Sequence, residues 1–183
     1  MAESSLQLRT ARLVLRAPND DDAAALLAYH QRNEARFARW EPKRGTEVAQ
    51  HLQWIEWRRA EGEAGRARTF LACDRSDPQQ LIGSVNLDAV MRGGPESSAM
   101  LSYSVDGAYE GRGYAREAVA ATIAYAFDEL ELASLSATYD PANARSGGLL
   151  ARLGFGIVAQ TDAIPGMERV MRAQVLAMLL RPV

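Results

Sequence analysis

Two stretches of the chain carry residue types whose spacing could do chemistry. The first is Glu110-Gly111-Arg112-Gly113-Tyr114-Ala115-Arg116-Glu117-Ala118. Its two glycines flank an arginine, and glycine lets the backbone come close to a bound group. An apolar-periodic run, Val119 to Leu130, follows it. The first N–H groups of a helix starting here have no partner within the helix, and the helix dipole adds partial positive charge. That is the chemistry of a cradle for phosphate or pyrophosphate. An ordinary strand-to-helix turn has the same sequence form. The second stretch, ~30 residues on, runs from Asn143 through Ser146 to Gly154-Phe155. On a helix, Asn143 and Ser146 share one face, a turn apart. The same pair also reads as a helix cap followed by a solvated serine.

The surrounding pattern gives the elements that must position these residues. Ser98 to Val105 alternates as a strand and leads into the glycine turn and its helix. Leu135 to Tyr139 is a strand, and Asn143 to Leu153 is a short helix stopped by Gly154. Ahead of these lie a strand at Leu13–Ala17 and a helix at Ala23–His30. Arg32 to Gly45 is a polar, irregular or briefly helical connection, and a helix capped by Thr46 runs to about Ala60. Strands at Thr69–Cys73 and Leu81–Leu87 are joined by the turn cluster Arg75 to Gln79. Two last strands, Gly156–Ala159 and Arg169–Leu180, meet at a turn through Pro165-Gly166. The expected class is α+β, with a mixed, mostly antiparallel sheet of about seven strands and about four helices. Three consecutive strands before the central helix argue against a Rossmann fold, which alternates strand and helix from its start.

Composition narrows the function classes. The chain has 183 residues, enough for one domain spanning 1–183 with a core, and no repeat or linker interrupts it. A net charge of −2 gives no basic surface for nucleic acid. No apolar run is long enough to span a membrane and no signal peptide is evident, so a cytoplasmic location is expected. The single Cys73 excludes an internal disulfide and a cysteine zinc site. His30 and His51 are too few for a histidine metal centre and read as surface or boundary residues; no metal is expected.

Taken together, the two stretches resemble the GNAT N-acetyltransferase superfamily, and within it the Rim-type branch of ribosomal-protein N-terminal acetyltransferases. The resemblance rests on strand, E-G-R-G-Y-A-x-E-A, helix, strand, then N-x-x-S-x-x-L-L-x-x-L-G-F. It extends to the opening Leu8 to Arg16 and to Ile82-Gly83-Ser84-Val85, nearly the whole chain. It implies acetyl-CoA as co-substrate and acetyl transfer to a primary amine, on a protein N-terminus or a small molecule, by direct attack in a ternary complex. It implies that Ser98–Val105 and Leu135–Tyr139 splay apart to admit the pantetheine arm, with backbone groups near Val105 bonding its amides. The N–H groups of Gly111, Arg112, Gly113, Tyr114, Ala115 and Arg116 would hold the pyrophosphate, the Arg112 side chain either adding charge or facing solvent. Asn143 matches the asparagine beside the pantetheine arm. Many of these enzymes carry a tyrosine seven residues after that asparagine; Leu150 stands there instead. Ser146 matches the Rim-type serine and is assigned as the partner or proton donor of the departing thiolate.

The amine must lose a proton before it attacks. The Rim-type branch commonly has a strand glutamate for this, and Met100 replaces it; the first residue of the loop is also changed, to Glu110, which would meet solvent or repel phosphate. Tyr103, Asp88 and Glu56 are the remaining candidates to accept or relay the proton, and a solvent-connected water would also suffice. Phe37, Trp40, Trp54 and Trp57 lie on the family's acceptor side, where most pack in the core and at least one lines the acceptor pocket. The loss of the strand carboxylate leaves open a CoA-binding module without transfer activity, and the acceptor class leaves open a polyamine, amino-acid or antibiotic acetylase. The apolar strand Val170 to Leu180 would suit either burial or pairing in a homodimer.

Overall fold

The computed structural model describes residues 6–40, 44–163 and 173–182. In chain order the elements are β1 (Gln7–Arg9), β2 (Leu13–Arg16), α1 (Ala23–Phe37), α2 (Val48–Glu63), β3 (Arg68–Asp74), β4 (Leu81–Met91) and β5 (Ser98–Val105). Then follow α3 (Tyr114–Asp128), β6 (Ser134–Tyr139), α4 (Ala144–Arg152), β7 (Gly156–Thr161) and β8 (Gln174–Leu180). The strands form one eight-stranded sheet in the order β1-β2-β3-β4-β5-β6-β8-β7. Every pairing is antiparallel except β5 with β6.

Strand alternation sends alternate residues to two separate cores. On one face Leu13, Leu15, Phe70, Val85, Leu87, Leu101 and Leu135 meet Val119, Ala126 and Phe127 of α3 and Leu149 and Leu150 of α4. Leu150, where the tyrosine of many relatives would stand, is 1% exposed and belongs to this core. On the other face Leu71, Cys73 and Leu81 meet Leu26 and Tyr29 of α1 and Ile55 of α2. The sheet is thus covered on one side by α3 and α4 and on the other by α1 and α2.

Four differences from the sequence expectation have physical causes. The strand β1, three residues long, is too short to show alternation; it is held to β2 by a turn in which the Thr10 hydroxyl donates to the Leu13 carbonyl. Helix α1 runs on without a break to Phe37, through the start of the stretch read as irregular or briefly helical, because Arg32, Asn33 and Arg36 face the loop after β5 and find partners there. Thr46 does not cap α2: Glu47 does, in a reciprocal capping box with Gln50. His51 is not a surface residue but 4% exposed, its Nδ1 bonded to the Glu47 carbonyl and its Nε2 2.9 Å from His30 Nδ1.

Strand β8 is paired on both edges, to β6 and β7. Of its apolar run, Val175 and Ala177 are buried, whereas Leu180 is 66% exposed. The expected turn at Pro165-Gly166 and residues 169–172 of the last expected strand lie outside the described residues. The aromatic expectations divide: Phe37 and Trp54 pack against the α1–α2 core, whereas Trp57 is 53% and Trp40 37% exposed.

Candidate functional site

The site begins where a ladder stops. Strand β5 pairs with β6 in parallel at Ser98↔Ser134, Ala99↔Leu135 and Met100↔Ser136. Beyond Met100 the two strands part: β5 continues to Val105 on its β4 bonds, and β6 continues to Tyr139 on its β8 bonds. A wedge opens in the middle of the sheet, with backbone on both walls.

Two predicted residues face each other at this wedge. Tyr103 Oη lies 2.9 Å from Ser146 Oγ and also donates to the Ser146 carbonyl at 3.3 Å. Burial pushes the Tyr103 phenol above its usual range, more than the bond to Ser146 pulls it down. Burial thus favours the protonated phenol, whose hydroxyl has the Ser146 carbonyl as an acceptor. Ser146 stands in the first turn of α4 because Asn143 is the helix cap: its Oδ1 accepts the Ser146 N–H at 3.2 Å. The cap and the Ser146 hydroxyl thus belong to one turn. Gly147 next to Ser146 admits the Tyr139 ring, since a Cβ there would lie 2.8 Å from Cε2 of that ring.

At the wide end of the wedge, Asp106 opens a short 3-10 turn, Gly107–Tyr109, which leads to the glycine loop and α3. Gly111 has φ +70° and Gly113 φ +83°, both in the left-handed region that favours glycine. Gly113 is the N-cap of α3, and the first helical bond runs from the Glu117 N–H to its carbonyl. The N–H groups of Tyr114, Ala115 and Arg116 precede that ladder. A Cβ on Gly111 would meet nothing within 4 Å, so that side of the loop is open. Tyr114 contributes only backbone here, because its ring is buried, while Arg112 and Arg116 are exposed. The Arg112 guanidinium stacks over the rings of Tyr109 and Tyr114. Val105 ends β5 half-buried beside a small cavity shared with Tyr103, Tyr114 and Ala115.

Four side chains whose role sequence reasoning missed hold this loop. Arg12, from the β1–β2 turn, donates from Nη1 to the Arg112 carbonyl at 2.9 Å and lies 4.0 Å over the Tyr114 ring. Glu117 anchors Arg12 in turn, accepting from its N–H and Nε at 2.7 Å each and from the Thr10 hydroxyl at 2.5 Å. Burial alone would raise the Glu117 carboxyl, but these bonds together hold it below the usual range. From the other side, Asn33 of α1 accepts the Gly107 N–H at 2.9 Å, and Arg32 pairs with Asp106. These contacts join residues 70 or more positions apart, and no local pattern signals them.

Glu110 is neither solvated nor uncompensated. Arg36 of α1 and Arg145 of α4 both pair with its carboxylate, so it ties the two helices to the loop and its charge is offset. Of the proton-acceptor candidates, Asp88 lies on the opposite face of the sheet from Tyr103, directly across the ladder from Met100, and pairs with Arg58. Glu56 is exposed on α2. Among the described residues no cluster of histidine, cysteine or carboxylate ligands could hold a metal. No helix among them is long and apolar enough to cross a membrane.

Comparison with known proteins agrees with this geometry. A family profile described as an acetyltransferase (GNAT) domain matches residues 12–156. The [ribosomal protein uS5]-alanine N-acetyltransferase of Escherichia coli (strain K12) is 35% identical over 156 residues, 82% of this chain and 78% of that protein. A solved ribosomal-protein-S5-alanine acetyltransferase from Vibrio fischeri superposes with a TM-score of 0.84 at 25% identity, covering 97% of this chain and all of that one. A ribosomal L7/L12 α-N-protein acetyltransferase solved with coenzyme A shares the fold, with a TM-score of 0.85 at 14% identity over 96% of this chain and 98% of that one. A splayed parallel pair, a glycine loop capping the next helix and a family match over most of the chain converge: the protein belongs to the GNAT acetyltransferase family and is an acetyl-CoA-dependent N-acetyltransferase.

Proposed function

We propose that this enzyme acetylates the free α-amine of a protein N-terminus, with the N-terminal alanine of a ribosomal protein as its acceptor, in the cytoplasm. The observation that carries the chemistry is the wedge between β5 and β6 with the Tyr103–Ser146 pair across it. The relationship to the uS5-alanine enzyme carries the acceptor.

The residues fit the co-substrate. The N–H groups from Gly111 to Arg116 would hold its pyrophosphate, helped by the dipole of α3. Arg12 and Glu117 keep that loop in its left-handed conformation. The edge of β5 up to Val105 would bond the pantetheine amides, and the Asn143 amide nitrogen, not used by the cap that Oδ1 makes, would bond the same arm. Bound acetyl-CoA supplies an activated acetyl group and a thiolate leaving group. Ser146 would donate its proton toward that sulfur while accepting from Tyr103, whose raised pKa keeps it protonated. Much of the acceleration would come from holding the two reactants in one orientation.

The test is an acceptor screen. The protein is incubated with acetyl-CoA and peptides copying ribosomal-protein N-termini, alongside polyamines and amino acids, with products read by mass spectrometry. Acetylation confined to alanine N-termini is the expected result. Acetylation of small amines alone would replace this acceptor with a small molecule.

A further inference from the structure

We propose that the Asp88 carboxylate binds the ammonium group of the acceptor. The inference rests on the acetyl-transfer reading above, and the wedge locates it. Met100↔Ser136 is the last bonded pair between β5 and β6, and Asp88 lies across the β4–β5 ladder from Met100. Register partners share a face, so Asp88 stands with Met100 on the α1–α2 side at the level where the wedge opens. Tyr103 and Ser146 stand on the other side, toward α3 and α4. An amine arriving past Asp88 would reach the carbonyl of a thioester held in the wedge from the α1–α2 side, with Ser146 on the other side to meet the sulfur as the tetrahedral intermediate collapses.

The surroundings of Asp88 are those of a fixed charge rather than a solvated one. Arg58 of α2, 7% exposed, pairs through Nη1 with Asp88 Oδ1. Arg58 is itself held by the Thr69 hydroxyl and lies 5.2 Å from the Trp57 ring. A buried guanidinium carries a desolvation penalty, and here its direction locks one carboxylate oxygen. The Asp88 side chain is still 38% exposed, so the second oxygen can receive a ligand. Directly after Asp88 the β4–β5 register slips, and Ala89 takes φ +49°, rare for a residue with a Cβ. Such bulges re-aim the neighbouring side chain. The next rung carries Asn86 and Ser102, bonded through Asn86 Nδ2 at 3.3 Å, and Asn86 Oδ1 is buried without a partner. Met100, 43% exposed, gives the rung an apolar wall suited to a short side chain beside the ammonium.

The experiment measures binding, not turnover. Calorimetry on the CoA-saturated protein compares a hexapeptide with a free N-terminal alanine against the same peptide N-acetylated. A charge-assisted hydrogen bond of ~1.5 kcal/mol corresponds to about tenfold in affinity. The wild-type protein should prefer the free amine by about that factor. Asp88→Asn, which retains an acceptor for Arg58, should erase the preference, and Asp88→Glu should keep most of it. Coenzyme A affinity should be the same in all three. A preference that survives in Asp88→Asn, or none in the wild type, overturns the proposal. Failure of the transfer reading would show separately, as absence of thiol release with every amine in the acceptor screen.

Discussion

Replacing Ser146 by alanine separates chemistry from architecture at the wedge. The substitution removes the 2.9 Å bond from Tyr103 but leaves the Ser146 carbonyl 3.3 Å from the same phenol. The Asn143 cap also survives, because it uses the Ser146 N–H and not the hydroxyl. A neutral hydrogen bond contributes ~0.5–1.5 kcal/mol net, so stability should fall by no more than about 1.5 kcal/mol. Turnover should fall much further. Positioned proton donors contribute ~10²–10⁴ in rate. A thiolate leaves more readily than an alkoxide or an amine, which puts Ser146→Ala near the lower end, about 10²-fold. Tyr103→Phe removes only the group that orients Ser146, and about tenfold is expected from one lost bond. Because the two act as a chain, Ser146→Ala/Tyr103→Phe should resemble Ser146→Ala alone rather than the product of the two losses. The assay follows thiol release from acetyl-CoA with saturating peptide amine, alongside calorimetric coenzyme A binding and a thermal melt. Turnover of Ser146→Ala within twofold of wild type would refute the role, as would equal losses in rate and coenzyme A affinity.

Gly113→Val forces a β-branched residue to φ +83° at the N-cap of α3, beside the Arg12 guanidinium. Coenzyme A affinity should drop at least ~10-fold by calorimetry, and a folded variant with normal affinity would remove the loop from the phosphate role. Glu117→Gln loses the charge that holds Thr10 and Arg12. Since the folded-state pKa of Glu117 is depressed, its stabilisation is present above the unfolded-state pKa and vanishes as pH falls through the folded one. The gap between wild-type and Glu117→Gln melting temperatures should therefore be widest near neutrality and close on acidification; a gap that is constant with pH would contradict this. His30 is lowered to about 4 by burial, with Arg44, His51 and Arg32 adding to the shift. The folded state resists a proton that the unfolded chain accepts near pH 6.5, so stability should decline as pH drops from about 6.5 to about 4. In melts over that range, His30→Gln should show a shallower decline than wild type.

How much of this was legible in the residues differs by feature. The glycine loop, the Asn143–Ser146 pair and the strands Ser98–Val105 and Leu135–Tyr139 were readable because each depends on local rules: φ > 0 at glycine, capping chemistry and alternation. Helix α1 beyond His30 was not, because Arg32, Asn33 and Arg36 look like a solvated stretch until Asp106, Gly107 and Glu110 stand beside them. His51 looked like a boundary residue for the same reason, its partner His30 being 21 positions away on another helix. Glu110 looked like a charge out of place at a phosphate loop, and two arginines from separate helices cancel it.

By itself, the sequence determined the order of elements from β2 onward, the glycine turn that opens α3 and the Asn143–Ser146 spacing at the start of α4. These follow from neighbours along the chain, where spacing fixes direction. Only the tertiary structure decided where the sheet splits, because β6 keeps β8 on one edge along its whole length and loses β5 on the other after Ser136. It alone joined Tyr103 to Ser146 across that split, tied Arg12 to the loop, and set Asp88 opposite Met100 with a buried arginine behind it. Strand register and the packing of distant helices bring those groups together, and neither leaves a mark in local spacing.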